Sequence, residues 1–209
     1  RQERLDTYKE LFYLHPSVFT PDRQVLRDCG FNPDEKYILV RFVAWNASHD
    51  IGKHGLDDEG KIRLVKRLER YGRVYVSAEG DVPEELRPRL LKTPYELIHH
   101  VLAFAQLVFS EGATMASEAA VLGTHALYVN TIVSGSTREQ SERFHLMDCF
   151  NEGEDRYERA AARAEELLAT PGLKEIGLEK QKKLLSEKVD INGYYMAEMD
   201  RLAKAGRKG

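Results

Sequence analysis

The sequence has 209 residues and a formal net charge of -3, and 42% of its residues are hydrophobic and 31% charged, as in ordinary globular proteins. This length suits one large domain or one domain with an appendage, at about 150 residues per domain. The small net charge gives no reason to expect nucleic acid as a partner, and no apolar run approaches the roughly 20 residues of a transmembrane helix.

The two cysteines, Cys29 and Cys149, are too few for a disulfide framework and lack the spacing of metal ligands. We therefore expect a cytoplasmic location, no metal site and no cofactor. Residues 1–21 are polar and then aromatic, and they contain His15-Pro16 and Thr20-Pro21. A residue before proline favours extended backbone, so we interpret this segment as an extended linker between domains.

From residue 22 onward, apolar runs alternate with amphipathic segments. Residues 22–29 predict a short helix closed by Gly30, and residues 37–42 (YILVRF) predict the first central strand. The loop 43–56 is polar and ends at Asp57, a good N-cap for a helix over 58–71. Long loops at the carboxyl end of a first strand are usually functional, although a polar loop without a ligand is the alternative.

A second strand is predicted over 74–76, and a turn of small residues, Ser77-Ala78-Glu79-Gly80, follows it. A ligand could approach this turn, whereas Glu79 is more simply explained as a solvated loop charge. Leu90-Leu91 could add a short edge strand. Thr93-Pro94-Tyr95-Glu96 has the pattern of a capping box with proline at the first helical position, which predicts a helix start.

His99 and His100 lie in this predicted helix. Because they are adjacent, they point in different directions and cannot form a metal-binding pair at i and i+4. We interpret them as structural or surface histidines. A metal site at His145, Asp148 and Cys149 is also disfavoured, since alternation along a strand places Asp148 and Cys149 on opposite faces.

The stretch 110–130 is the most informative part of the chain. It predicts a strand end at Ser110-Glu111-Gly112 with a turn that needs glycine, a nearly all-apolar helix closed by Gly123, and a strand over 126–129. Glu118 is the one ionisable group in that helix. Its carboxylate could accept two hydrogen bonds from a ribose diol, while the N–H groups near Ala113 could hold phosphate. The alternative is that Glu118 has a local capping or salt-bridge role.

Beyond this stretch, Ser136-Thr137-Arg138-Glu139 predicts a second capping box after the loop 131–135. A last strand is expected over 147–150 and an Ala-rich helix over 155–168. Thr170-Pro171-Gly172 then breaks the chain. Two further helices are predicted over 178–188 and 191–205, and the apolar residues of the second need a surface on which to pack.

Gly112-Ala113, Ser117-Glu118 and Gly123 resemble the nucleotide-sugar signature in the C-terminal domain of GT-B-fold enzymes. The peptidoglycan N-acetylglucosaminyltransferase and the non-hydrolysing UDP-N-acetylglucosamine 2-epimerases share that signature. Residues 37–52 and 110–130 resemble more closely a largely archaeal family of predicted glycosyltransferases, and the resemblance covers roughly residues 8–168. His125 is the departure, since those enzymes usually carry proline there.

The resemblance implies that Glu118 holds the ribose hydroxyls of UDP and that the glycine turn lies against the phosphates. It also implies that the loop after the first strand touches the diphosphate, and that the loop before Ser136 contacts the sugar or the second phosphate, with Ser134, Ser136 and Arg138 as weak candidates. The turn after the second strand adds Ser77. The candidate nucleotide-sugar-binding residues are therefore Gly112, Ala113, Thr114, Glu118, Asn46, Ser48, His49, Ser77 and Ser136.

In the resembled families an N-terminal Rossmann-like half carries the acceptor site. Because this sequence also lacks an initiator Met, we expect it to be the C-terminal half of a longer protein and inactive when isolated. No paired carboxylates, nucleophilic triad or metal cluster is evident, so no catalytic residue is assigned. The partners expected are a nucleotide-sugar donor and the missing half.

The predicted fold is a Rossmann-like three-layer α/β/α sandwich with a parallel sheet, the C-terminal half of a GT-B fold, plus C-terminal helices. Residues 1–21 form the linker, 22–168 the nucleotide-sugar-binding domain and 169–209 a helical tail. The predicted function is binding of the donor, a UDP-sugar, within a GT-B glycosyltransferase. The alternatives are a sugar-nucleotide epimerase of the same fold and a non-catalytic nucleotide-binding module.

Overall fold

A computed structural model describes residues 4–32, 34–44 and 55–206. Within these residues, five parallel strands form one sheet in the order β2-β1-β3-β4-β5. The strands are β1 Tyr37–Phe42, β2 Arg73–Ala78, β3 Leu107–Ser110, β4 Ala126–Val129 and β5 Met147–Phe150. The predicted parallel sheet is confirmed, whereas the edge strand suggested at Leu90-Leu91 is only an isolated bridge between Leu90 and Val76.

Nine α-helices flank the sheet in the described part of the chain. They are α1 Leu11–Leu14, α2 Arg23–Asp28, α3 Asp58–Leu68, α4 Ile98–Phe104, α5 Ala113–Val121, α6 Gly135–Glu142, α7 Arg156–Leu168, α8 Leu173–Glu187 and α9 Ile191–Gly206. Two 3₁₀ turns, Glu84–Arg89 and Tyr95–Leu97, precede α4. The predicted helix over 58–71 ends three residues early, at Leu68.

The core has two halves, one on each face of the sheet. In β1, Leu39 packs in the half that contains residues of α1, α2, α4, α5 and α8. Its neighbours Ile38 and Val40 pack in the other half, with residues of α3 and α7. Alternation along a strand sends successive side chains to opposite faces, and both faces are covered, as parallel sheets require. The three-layer α/β/α sandwich is therefore confirmed.

Neither predicted capping box is where the sequence pattern placed it. At the first, Pro94 is the N-cap residue with extended backbone (ψ 142°), so Thr93 lies one residue too far out to cap. The Thr93 hydroxyl is buried without a partner among the described residues, and α4 starts only at Ile98. At the second, Ser134 rather than Ser136 caps α6. The Ser134 Oγ accepts the Thr137 N–H at 3.2 Å.

The first described segment is not extended as expected, because residues 11–14 form α1. Tyr8, Leu11 and Leu14 are buried in the larger half of the core. The segment is also tied to the end of α8. Thr7 Oγ1 donates to the Val189 carbonyl at 2.9 Å, and the Val189 N–H donates to the Asp6 carbonyl at 3.0 Å.

Lys188 adds charged hydrogen bonds to this junction. Its side chain is almost fully buried, and its Nζ donates to both carboxylate oxygens of Glu139 at 2.8 and 2.9 Å and to the Asp6 carboxylate. The ammonium also lies 4.6 Å from the centre of the Tyr8 ring. Hydrogen bonds to charged groups are stronger than neutral ones, so this cluster holds the segment before α1 against the end of α8.

Helix α8 starts at Leu173, five residues earlier than predicted, after Gly172 in the left-handed region (φ 69°). It approaches the α5–β4 turn very closely. A Cβ on Gly177 would lie 2.3 Å from the carbonyl oxygen of Gly123, which is itself in the left-handed region at φ 73°. Gly177 is therefore the residue that lets α8 lie against this turn.

Candidate functional site

The strand order places the candidate site at the carboxyl ends of β1 and β3. Sequence order reverses between these two strands, and open α/β sheets bind ligands in the crevice at such a point. The turn after β3 leads directly into α5, whose first residue is Ala113. The first N–H groups of a helix have no partner within it, so the start of α5 can present N–H donors to a ligand at the sheet edge.

The turn itself is fixed by Ser110. Its Oγ accepts the Gly112 N–H at 3.0 Å and donates to the Gly112 carbonyl at 2.8 Å. Gly112 has φ -96°, which any residue adopts, and an added Cβ would make only ordinary contacts at 3.5 Å or more. The expectation that the backbone of this turn needs glycine is therefore wrong. Thr114, in the same turn of α5, is exposed.

Glu118 is nearly buried, with 9% of its surface exposed, and it lies on the sixth residue of α5. Its Oε1 accepts the Tyr13 hydroxyl at 2.9 Å and pairs with His99 Nε2 at 3.2 Å. Both partners come from other helices, α1 and α4. Burial and the charge of Glu118 together raise the pKa of Tyr13, so its hydroxyl stays protonated and donates.

The second carboxylate oxygen of Glu118, Oε2, has no hydrogen bond within the described ranges. It is also not among the fully buried unpaired atoms of these residues. Among the residues that the structure describes, protein donors thus hold one oxygen of Glu118, and the other can accept from a ligand. Sequence reasoning identified Glu118 but missed Tyr13, which is 105 residues away, and assigned His99 no contact with it.

Glu111 is a second carboxylate at this edge that sequence reasoning did not single out. It is only 1% exposed. Its Oε2 accepts the Val43 N–H at 2.9 Å and its Oε1 accepts the Tyr157 hydroxyl at 2.6 Å. Burial and the nearby Glu111 raise the pKa of Tyr157, which keeps that donor protonated. Glu111 therefore anchors the start of the loop after β1 to helix α7.

Ser77 lies at the carboxyl end of β2, on the far side of β1 from the α5 turn. Its Oγ accepts Arg41 Nη1 at 2.8 Å, and Arg41 Nη2 donates to Glu79 Oε1 at 2.5 Å. Glu79 is half exposed, as expected of a loop charge, but it is paired. A cavity of about 260 Å³ opens beside these residues, between the ends of β1 and β2.

Ser136 lies in the first turn of α6, the helix between β4 and β5 in the chain, where its Oγ is 3.1 Å from that of Ser134. The pocket of about 350 Å³ beside this helix is lined by Arg138, Asn151 and Arg159, among others, and not by Ser136. The structure brings Gly112, Ala113, Thr114 and Glu118 together on one helix. Asn46, Ser48 and His49 fall outside the described residues.

His125, the departure from the resembled pattern, is buried at the start of the β4 segment. Its Nε2 is 2.9 Å from Asp148 Oδ2, and Arg163 Nε donates to the same oxygen at 3.3 Å. Burial alone would raise the pKa of Asp148, but the hydrogen bond to His125 and the charge of Arg163 lower it overall. This cluster lies at the amino end of β4, away from the candidate site.

Within the residues described, no group of three or more His, Cys, Asp or Glu side chains could hold a metal ion. Among these same residues, no helix has both the length and the apolar character needed to cross a membrane.

No protein-family model and no curated protein sequence matches this chain. Solved structures do. The glycotransferase of kitacinnamycin superposes with a TM-score of 0.52 at 14% identity, covering 79% of this chain and 43% of that one. Os79 from O. sativa, in complex with UDP and deoxynivalenol-3-glucoside, gives 0.52 at 15% identity and covers 83% and 42%.

A Listeria monocytogenes protein assigned as a UDP-N-acetylglucosamine 2-epimerase gives a TM-score of 0.50 at 15% identity and covers 80% and 45%. The fold is that of the C-terminal half of GT-B glycosyltransferases. This confirms the predicted fold. At these identities the likeness concerns the fold alone, and the chain spans less than half the length of each of these structures.

Proposed function

We propose that this chain is the donor-binding half of a GT-B glycosyltransferase and that it binds a UDP-sugar at the carboxyl ends of β1 and β3. The observation that carries the proposal is the burial and hydrogen bonding of the Glu118 carboxylate. A nearly buried carboxylate with one oxygen fixed by two protein donors and the other open is suited to accept hydrogen bonds from the hydroxyls of a ribose.

The arrangement along α5 supports a nucleotide rather than a free sugar. Ala113 and Glu118 are five residues apart, which is about 7.5 Å along a helix at about 1.5 Å per residue. Phosphates at the first turn would meet unpaired N–H groups and the positive end of the helix dipole. The ribose, joined to the phosphates through its 5′ carbon, would then lie near Glu118.

UDP is the nucleotide proposed because Os79, a structure of the same fold, contains it, and because the resembled enzymes use it. We infer transfer rather than epimerisation because the similar structures include glycosyltransferases of several kinds. The closer relation to the largely archaeal family is part of the same proposal.

The direct test is calorimetric titration and thermal denaturation of this chain with UDP, dTDP, GDP and their sugar forms. UDP compounds should bind most tightly. A ligand at 100 times its Kd should stabilise the fold by about 2.7 kcal/mol. We expect no multiple turnover with any sugar nucleotide, since the proposed acceptor site belongs to another half. No nucleotide-dependent shift would contradict donor binding, and repeated turnover would contradict the half-enzyme assignment.

Product analysis with the full-length protein separates the enzyme classes. A transferase releases UDP and a glycosylated acceptor, whereas an epimerase returns a sugar nucleotide or its sugar without an acceptor. A binding module would show neither product.

Tyr13 should act as a positioning residue for Glu118. Tyr13→Phe keeps the ring but removes the donor to Oε1, which leaves His99 as the one described partner of that oxygen. A hydrogen bond to a carboxylate contributes about 1.5–3 kcal/mol net, but Tyr13 acts on the ligand only by orienting Glu118, so UDP binding should weaken by a smaller factor, about 2- to 13-fold by calorimetry.

Tyr195→Phe is the matched control, because Tyr195 is exposed and its ring contacts Phe12 rather than Glu118. That variant should bind UDP as the wild type does. Tighter binding by Tyr13→Phe would show instead that the Tyr13 hydroxyl competes with the ribose for Glu118.

A further inference from the structure

A cavity of about 630 Å³ opens at the opposite edge of the sheet from the candidate site. Lys36, just before β1, and Gln106, just before β3, both line it. Strand β1 has six residues, so the cavity and the carboxyl edge are about 20 Å apart at about 3.3 Å per residue. The volume lies within the range of about 300–1,000 Å³ that is usual for small-molecule sites.

Much of the cavity wall is apolar. The chain between α1 and α2 forms one side, and helices α4, α5 and α8 contribute the rest. The apolar lining residues are Leu14, Pro16, Phe19, Pro21, Ala103, Phe104, Leu122 and Leu178. Such a wall suits a ligand with an apolar body.

Lys174 is the unusual polar group of this wall. Its Nζ donates to the Gly123 carbonyl at 3.2 Å and to Thr124 Oγ1, both of them uncharged. No carboxylate within the described residues lies within ion-pair distance of it, whereas Lys188 has two. An ammonium has three N–H donors, so one remains for a ligand.

Burial lowers the pKa of Lys174 from its ordinary 10.5 to about 7, because a cation without a counter-ion is costly inside a protein. Lys174 also lies on the second residue of α8, where the helix dipole favours negative charge. An anion bound here would supply the missing counter-charge and restore the charged form of Lys174.

The other charged groups of the cavity argue for a single negative charge. Arg23 of α2 and Lys36 oppose Asp34, Glu35 and Glu175, and Glu35 also lies 3.7 Å from Arg73. The acidic side chains would repel a ligand of high negative charge. A ligand with a single negative charge, matched to the Lys174 ammonium, is therefore favoured.

We propose that this cavity is a second binding site, for a small carboxylic acid with an apolar body, whose carboxylate pairs with Lys174 while the body lies against Phe19 and Phe104. The ligand contacts Leu14, which follows Tyr13 in α1, and Leu122 at the end of α5, the helix that carries Glu118. The two sites therefore share these two helices.

The test uses 4-phenylbutyrate and, as its uncharged counterpart, 4-phenylbutanol, titrated calorimetrically into the full chain. The carboxylate should bind at least 10-fold more tightly than the alcohol. Lys174→Met, which keeps the side-chain length and removes the charge, should weaken carboxylate binding by 10- to 150-fold and leave the alcohol unchanged. Lys36→Met is the matched control, since Lys36 is exposed and water solvates its charge.

Proton uptake provides a second readout. Above pH 7 free Lys174 is largely neutral and must gain a proton to pair with the carboxylate, so affinity should fall as the pH rises beyond about 7. The calorimetric heat should then depend on the ionisation enthalpy of the buffer, and Lys174→Met should remove that dependence. Equal binding of acid and alcohol, unchanged affinity in Lys174→Met or no proton uptake at pH 8 would each overturn the proposal.

Discussion

Replacing Glu118 with alanine is expected to weaken the binding of UDP by about 10- to 150-fold. A hydrogen bond to a charged group contributes about 1.5–3 kcal/mol, and about 1.4 kcal/mol corresponds to one decade in Kd. The fold should survive, because Tyr13 and the His99 side chain are both partly exposed, so that their polar atoms can bond to water instead. Isothermal calorimetry on the wild type and the variant measures the effect.

A 2′,3′-dideoxyribose analogue of UDP is the control for this substitution. It lacks the hydroxyls that Glu118 is proposed to hold, so wild type and Glu118→Ala should bind it about equally. If Glu118→Ala binds ordinary UDP as tightly as the wild type, Glu118 is a structural group and the ribose assignment fails.

Gly177→Ala in α8 is expected to destabilise the fold markedly. The added Cβ would lie 2.3 Å from the Gly123 carbonyl oxygen, a backbone atom held in the left-handed turn between α5 and β4. Gln181 and Lys174 donate to Val121 and Gly123 across the same contact, so moving α8 away also weakens these bonds. Overpacking usually costs about 1–3 kcal/mol, and we expect the upper end in urea denaturation.

Gly193→Ala in α9 is the matched control. There the nearest atom to an added Cβ is Asp190 Oδ2 at 3.4 Å, an ordinary contact. Alanine stabilises helix interiors relative to glycine by about 0.5–1 kcal/mol, so this variant should equal or exceed the wild type. A Gly177→Ala protein within about 0.5 kcal/mol of the wild type would mean that the close approach of α8 is not rigid.

The sheet was predictable because each strand is an apolar run bounded by turn or polar residues. The runs 37–42 and 126–129 match β1 and β4 at both ends, and Gly123 closes α5 with φ 73° as expected. Buried parallel strands need continuous apolar residues, so they leave a signal that a single sequence carries.

The helix starts were less predictable, since the capping patterns compete over short distances. Ser134 and Ser136 both have hydroxyls that can cap, and the backbone conformation at Ser134 decides between them. At Thr93 the proline that suggested a helix start is itself the extended N-cap residue. The sequence alone does not contain these backbone angles.

The candidate site was predictable only where its residues are neighbours in the chain. Glu118 and the turn before α5 lie within seven residues, but Tyr13 and His99 reach Glu118 from other helices. Glu111 resembles an ordinary turn residue until its contacts with Val43 and Tyr157 are seen. Long-range contacts of this kind leave no periodicity to read.

The junction of Asp6, Thr7, Lys188 and Val189 places the segment before α1 next to the residues that follow α8. Any polypeptide joined ahead of Asp6, by gene fusion or in a longer natural protein, starts its path next to the residue that leads into α9. In a variant shortened to end at Val189, the same adjacency means that a linker of only a few residues could close the chain into a circle and let new termini be opened elsewhere on its surface.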